Sequence, residues 1–194
     1  MLDRNTDALL AVDVQKGFMP GDEPGYGELP APDGQAVAAP LARLAPFVAL
    51  VAASGDSHTP DHSSFVEQGG AWPVHCVAGT PGAQLHPLVA SVLTDGWFFP
   101  KGTTRDTDSY SAFQSSDLAQ RLRSAGVKRL VIGGLVTNVC VHATALDALD
   151  EGFEVVIVTD ACRAIDADGI PTGDEALEQL RARGAVLATS AELA

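Results

Sequence analysis

Six short runs of aliphatic and β-branched residues recur along the chain: ALLAVDV, FVALVAAS, GWFFP, RLVIGGLV, EVVIVTD and AVLATS. Within each run neighbouring positions are apolar, without the alternation of a strand that has one wet face. Such runs predict strands buried on both sides, as in a parallel sheet covered by helices. Between them the apolar spacing becomes helical, which predicts helices over about Gly34 to Leu44, Ser115 to Gly126, Asn138 to Gly152 and Thr172 to Gly184. The alternation predicts an α/β fold with three α/β/α layers around a doubly wound, mainly parallel sheet. Two stretches break the rhythm: FMPGDEPGYGELPAPDG, and the region from Gly55 to about Ser91. Both carry too much Gly and Pro for regular structure, and loops of that length are commonly functional.

Composition narrows the picture. A chain of 194 residues, 46% of them apolar, can bury a full core and fits one domain spanning residues 1–194. Twelve basic against 25 acidic residues give a net charge of -13, which repels nucleic-acid phosphates and anionic membrane surfaces. The opening MLDRNTDALLAVDVQ has no basic segment followed by a long apolar region, and no later apolar stretch approaches bilayer length, so a cytoplasmic protein is expected. The state of assembly is left open, a homo-oligomer included. Cys76, Cys140 and Cys162 are odd in number and widely spaced, which fits three free thiols better than a disulfide framework or a CxxC zinc knuckle.

In an open parallel sheet, ligands bind beyond the carboxyl ends of the strands. Asp13 closes the first run, Asp56 and His58 follow the second, Lys101 the third and Cys140 the fourth. Singly, each has an ordinary explanation: an acid after a strand caps a helix, a lysine is solvated, and a cysteine packs as a small hydrophobe. Jointly, an acid, a lysine and a thiol at one sheet edge match a base, a cationic partner and a nucleophile. A neighbouring ammonium and a helix beginning near Asn138 would both favour the Cys140 thiolate. Asp56 and His58 are two residues apart and share a side of an extended chain, and His75 in the following loop supplies a second nitrogen. Two nitrogens and a carboxylate suit a divalent metal with open positions. His62 is expected to support this group from behind. His86 reads as a loop residue, His142 as pointing away from the nucleophile, Cys162 as packing, and Asp160 as organising the turn after its strand.

The segments AVDVQKGFMPG, GDSHTPDHSSF, WPVHCVAGTPGAQLHP, FPKGTTRDTDSYSAF and GLVTNVCVHATALDALDEGFEVVIVTDACRAID resemble the nicotinamidase branch of the isochorismatase-like cysteine hydrolases. The likeness covers most of the chain, with the motifs in the family's order. It implies the isochorismatase-like hydrolase fold, with Asp13, Lys101 and Cys140 as the catalytic triad. Asp56, His58 and His75 would hold one divalent ion: zinc, with manganese or iron as alternatives. It also implies a cis peptide between Leu135 and Val136, an oxyanion hole from the Val136 and Cys140 amides, and aromatic walls at Phe18 and Trp72 around a pyridine ring. The substrate implied is a small amide, nicotinamide, hydrolysed to nicotinate and ammonia in NAD salvage. Cys140 favours a thiol amidase over a vinyl-ether hydrolase. TNVC stands where nicotinamidases commonly carry TD-x-C, and similar strings occur in ureidoacrylate-type amidohydrolases. GDSH likewise has glycine where relatives often place a larger residue. The metal motif and WPVHCVAGTPGAQLHP favour nicotinamidase, with a ureidoacrylate or N-carbamoyl amidase as the alternative.

Overall fold

The structure, a computed structural model, describes residues 1–114 and 116–194. Each apolar run forms one strand: β1 Asp7–Val12, β2 Leu50–Asp56, β3 Phe98–Lys101, β4 Arg129–Leu135, β5 Glu154–Arg163 and β6 Val186–Ala188. All pair in parallel, in the order β3-β2-β1-β4-β5-β6. That is the doubly wound arrangement, in which the direction of winding reverses beside β1.

In the four inner strands the continuous apolar runs follow from burial on both faces, while the edge strands β3 and β6 leave Phe98 and Val186 exposed. Ala8, Leu10 and Val12 of β1 face one core layer, while Leu9 and Ala11 face the other, and all five are inaccessible to solvent. Each leucine so buried contributes about 1.5–3 kcal/mol. On the first face lie α3 (Leu118–Ser124), α4 (His142–Asp150) and α5 (Gly173–Ala182), through Leu118, Leu122, Ala145, Ala148 and Leu180. On the second lie α1 (Ala38–Leu44) and α2 (Pro87–Val92), through Leu41, Leu44 and Val89. A short α6 (Ser190–Leu193) follows β6. Helix α5 starts where its sequence dictates: Thr172 Oγ1 accepts from Glu175 N at 3.2 Å while Glu175 Oε2 accepts from Thr172 N at 2.8 Å.

Several boundaries differ from expectation. The helix expected from Gly34 begins as a tight three-residue-per-turn segment, Gly34–Val37, before α1. The helix expected from Ser115 begins at Leu118, and Ser115 itself lies outside the described residues. The stretch from Gly55 to Ser91, read as irregular, contains α2; His86 caps it by accepting from Leu88 N at 3.2 Å. Asp160 lies within β5 and accepts from Ser190 N and Oγ at 2.7 and 2.6 Å, so it ties the first residue of α6 to β5 rather than organising a turn. Among the described residues, no helix is long and apolar enough to cross a membrane.

Candidate active site

The strand that reverses the winding delivers the first residue. Asp13 follows β1, fully buried and in a left-handed conformation (φ 49°), with Oδ1 accepting from Ser54 Oγ at 2.8 Å. Lys101 ends β3 directly opposite Asp56 in the β2/β3 register. Its ammonium lies 2.9 Å from Asp13 Oδ2, bonds Asp56 Oδ1, donates to the Ser109 carbonyl at 3.1 Å and stands 3.5 Å from Cys140 Sγ. Cys140 sits in a wide turn, Thr137–Val141, that leads from β4 into α4. The turn follows a cis peptide between Leu135 and Val136. It also needs Gly134, at φ 139°, because a Cβ there would stand 1.9 Å from the Val12 carbonyl oxygen.

In the triad, burial and charge pull in opposite directions. Burial pushes the Cys140 thiol well above its ordinary range; Lys101 opposes this, but Asp13 and Asp56 add to it. Lys101 therefore pulls toward the thiolate, and the net direction is upward because burial outweighs it, with the two carboxylates adding to burial. Burial likewise raises the Asp13 carboxyl, against the pull of Lys101. Burial works against the charged form of Lys101 as well, yet Asp13 and Asp56 outweigh it and hold the ammonium well above its ordinary value.

Asp56 also faces the histidines. Its Oδ2 lies 3.6 Å from both His58 Nε2 and His75 Nε2. His58 Nδ1 is 3.1 Å from the Gly102 carbonyl and His75 Nδ1 is 2.7 Å from the Pro73 carbonyl. Carbonyl oxygens only accept, so both rings carry their proton on Nδ1 and turn the Nε2 lone pair toward the carboxylate. Two lone pairs and a carboxylate oxygen, all acceptors within 4.8 Å of one another, repel unless a cation lies between them. Ligands at about 2.0–2.2 Å from a tetrahedral zinc are separated by about 3.3–3.6 Å, so the donor set fits a divalent ion in kind and spacing. The backing carbonyls are those that commonly fix metal-bound imidazoles. Gly102 permits one of them: a Cβ there would meet the His58 ring at 2.4 Å.

His62 is fully buried and stacks on His58, centroids 4.3 Å apart. Its Nδ1 lies 2.8 Å from Ser64 Oγ and its Nε2 3.3 Å from the Thr107 carbonyl, so both nitrogens already have protein partners.

Both clusters open into one cleft, lined by Lys101 and Cys140 from the first and by Asp56, His58 and His75 from the second. Phe18, Trp72 and Val136 line it, and Phe18 packs on His75 with centroids 5.4 Å apart. Sequence reading missed Tyr110, whose hydroxyl accepts from Trp72 Nε1 at 3.0 Å, and Val139 and Ile165 on the apolar side. It also missed Gln15. That buried carboxamide accepts from Asp56 N at 2.7 Å and donates to the Asp56 and Ala83 carbonyls at 2.8 Å, tying the end of β1 to the end of β2. Its place two residues after Asp13, at a strand end, was the available signal.

Residues 7–192 match the isochorismatase domain model. The chain is 35% identical to the nicotinamidase of Escherichia coli (strain K12), over 95% of each chain. Among solved structures it resembles the pyrazinamidase of Pyrococcus horikoshii in complex with zinc, at 39% identity and TM-score 0.82, covering 94% of this chain and 98% of that one. It also resembles PnC1 from L. infantum in complex with nicotinate, at 33% identity and TM-score 0.86, covering 98% and 96%. With a family model matched almost end to end and relatives at this identity and coverage, the chain belongs to the isochorismatase domain family, in its nicotinamidase branch.

Proposed function

We propose that this hydrolase cleaves nicotinamide to nicotinate and ammonia through a thioester on Cys140. The observation carrying the proposal is the convergence, in one cleft, of Cys140 beside Asp13 and Lys101 with the lone-pair face of His58 and His75 beside Asp56. Cys140 starts as a thiol, and Asp13, whose carboxylate is its buried neighbour, takes the proton as sulfur adds to the carboxamide carbon. The Val136 and Cys140 amides hold the oxyanion. Collapse expels ammonia with the proton returned by Asp13, leaving the thioester. Asp13 next deprotonates a water that adds to the thioester; nicotinate departs, and the proton restores the Cys140 thiol. Lys101 offsets the negative charge that moves between Asp13 and sulfur.

Asp56, His58 and His75 would hold the ion, proposed as zinc, which supplies a Lewis-acidic point for the ring nitrogen. Phe18 and Trp72 flank the ring. Ureido acids and N-carbamoyl amino acids carry a carboxylate, which needs a cation of its own. Among the described residues lining the cleft the one fixed cation is Lys101, already paired with Asp13 and Asp56. The ion is then the other positive charge in the cleft, and with Phe18 and Trp72 flanking it the site favours a ring nitrogen on an uncharged aromatic amide. Steady-state ammonia release tests it: nicotinamide should far exceed N-carbamoyl amino acids and ureidoacrylate in kcat/KM, and a preference for the charged substrates would reverse the assignment.

A further inference from the structure

Asn138 distinguishes the TNVC string from TD-x-C, and its side chain is fully engaged. It is buried, 4% exposed, two residues before Cys140, yet it points away from the chemistry just described. Its Nδ2 donates at 2.8 Å to the carbonyls of both Ile165 and Pro171, and its Oδ1 accepts from Ile165 N at 3.2 Å. The carboxamide thus grips both polar groups of one residue and a second carbonyl six positions on. No helix or strand holds the segment between them: β5 ends at Arg163 and α5 begins at Gly173. Ile165, gripped at N and O, lines the cleft beside Val136, Val139 and Cys140.

We infer that Asn138 is a positioning residue for ring specificity: it clamps Ile165 in place as an apolar wall of the substrate pocket. The inference rests on the reading of this cleft as the site of an aromatic amide. An aspartate cannot do the same work. It is nearly the same size and can still accept from Ile165 N, but it has no hydrogen to donate. Its second oxygen would lie against two carbonyl oxygens in a buried setting, where like partial charges repel and no donor compensates. The wall would then move with the segment from Ile165 to Pro171. A loosened wall weakens binding of ground state and transition state alike, so the effect belongs in KM more than in kcat.

The test compares wild type, Asn138→Asp, Ile165→Ala and the double variant on nicotinamide, with residue-resolved amide exchange by NMR. Asn138→Asp should raise KM about tenfold while kcat stays within about threefold. Ile165→Ala, which keeps the clamp and removes the wall, should raise KM comparably. If the clamp acts through the wall, the double variant should match Ile165→Ala and not the product of the two effects. Exchange of the Ile165 amide should quicken at least about tenfold in Asn138→Asp, with the β4 amides unchanged. Should Asn138→Asp fail to fold, Asn138→Ala removes the same donors without adding charge and carries the same expectations. A kcat loss at constant KM, multiplicative effects in the double variant, or unchanged Ile165 exchange would each overturn the inference while wild-type turnover leaves the functional reading intact. A wild type that releases no ammonia from nicotinamide overturns that reading and the ring-pocket role with it.

Discussion

Lys101→Met isolates the charge balance at the centre of the site. Methionine keeps most of the stem and deletes an ammonium that serves Asp13, Asp56 and the Ser109 carbonyl at 3% exposure. Removing one partner of a buried ion pair costs about 3–5 kcal/mol, a large share of the about 5–15 kcal/mol that holds a domain folded. Of the two carboxylates left behind, Asp56 is held below its ordinary value and Asp13 above it, so relief comes from protonating Asp13. Burial already raises that carboxyl, and loss of Lys101 removes what lowered it. The sign follows from the raised folded pKa: the unfolded chain ionises first, so stability is fully present below the ordinary carboxyl value of about 3.9 and is lost as pH rises through the folded value. Wild-type Asp13 is itself raised, so the two proteins part only above the wild-type folded value; from there to the higher value of the variant, the variant should recover up to about 1.4 kcal/mol per unit of acidification relative to wild type. Urea unfolding of both proteins, with chelator present, from about pH 8 to about pH 5 measures the gap. A gap that does not narrow on acidification, or one below about 1 kcal/mol throughout, as for an exposed ion pair, refutes the reasoning.

Cys140→Ala should fold with little change in melting temperature, since only a small group is removed, and should lose nearly all ammonia release; near-wild-type turnover would exclude the thioester. Because burial and two carboxylates push the thiol up, iodoacetamide should alkylate Cys140 slowly near neutrality, with a rate still climbing at alkaline pH. A rate plateau near pH 7, by mass spectrometry of the labelled peptide, would show a resting thiolate instead. Chelation should raise KM for nicotinamide more than for benzamide, which has no ring nitrogen to lose a ligand. Equal losses of kcat on both would mean that the ion's role is not to orient the ring.

The four inner strands were legible because burial on both faces writes itself as an unbroken apolar run, whereas the edge strands β3 and β6 keep apolar residues exposed; Asp13, Lys101 and Cys140 were legible because they end or follow such runs. Helix α2 was not: PLVASV is short and sits in a Gly- and Pro-rich stretch, so its only signals were the proline at its first position and His86 before it. The state of the thiol was hidden for another reason. A sequence shows that a lysine follows one strand and a cysteine another, but not how many carboxylates surround them. Asp56 meets Lys101 only through the β2/β3 register, and register is a property of the paired sheet. Gln15 and Asn138 were overlooked because a carboxamide advertises no chemistry until its partners are known.

That same register binds the two halves of the site into one electrostatic unit. Asp56 offers Oδ2 to the histidine pair and Oδ1 to Lys101, while Lys101 reaches Asp13 and Cys140. A cation between Asp56 and the histidines would draw on the carboxylate that Lys101 now shares, leaving more of the ammonium's field for Asp13 and sulfur. Burial at 3–7% exposure for Lys101, Asp56 and Cys140 excludes most of the water that would screen such an effect. Under the proposed function, binding at the histidines and proton transfer at Cys140 would therefore be coupled through a single lysine.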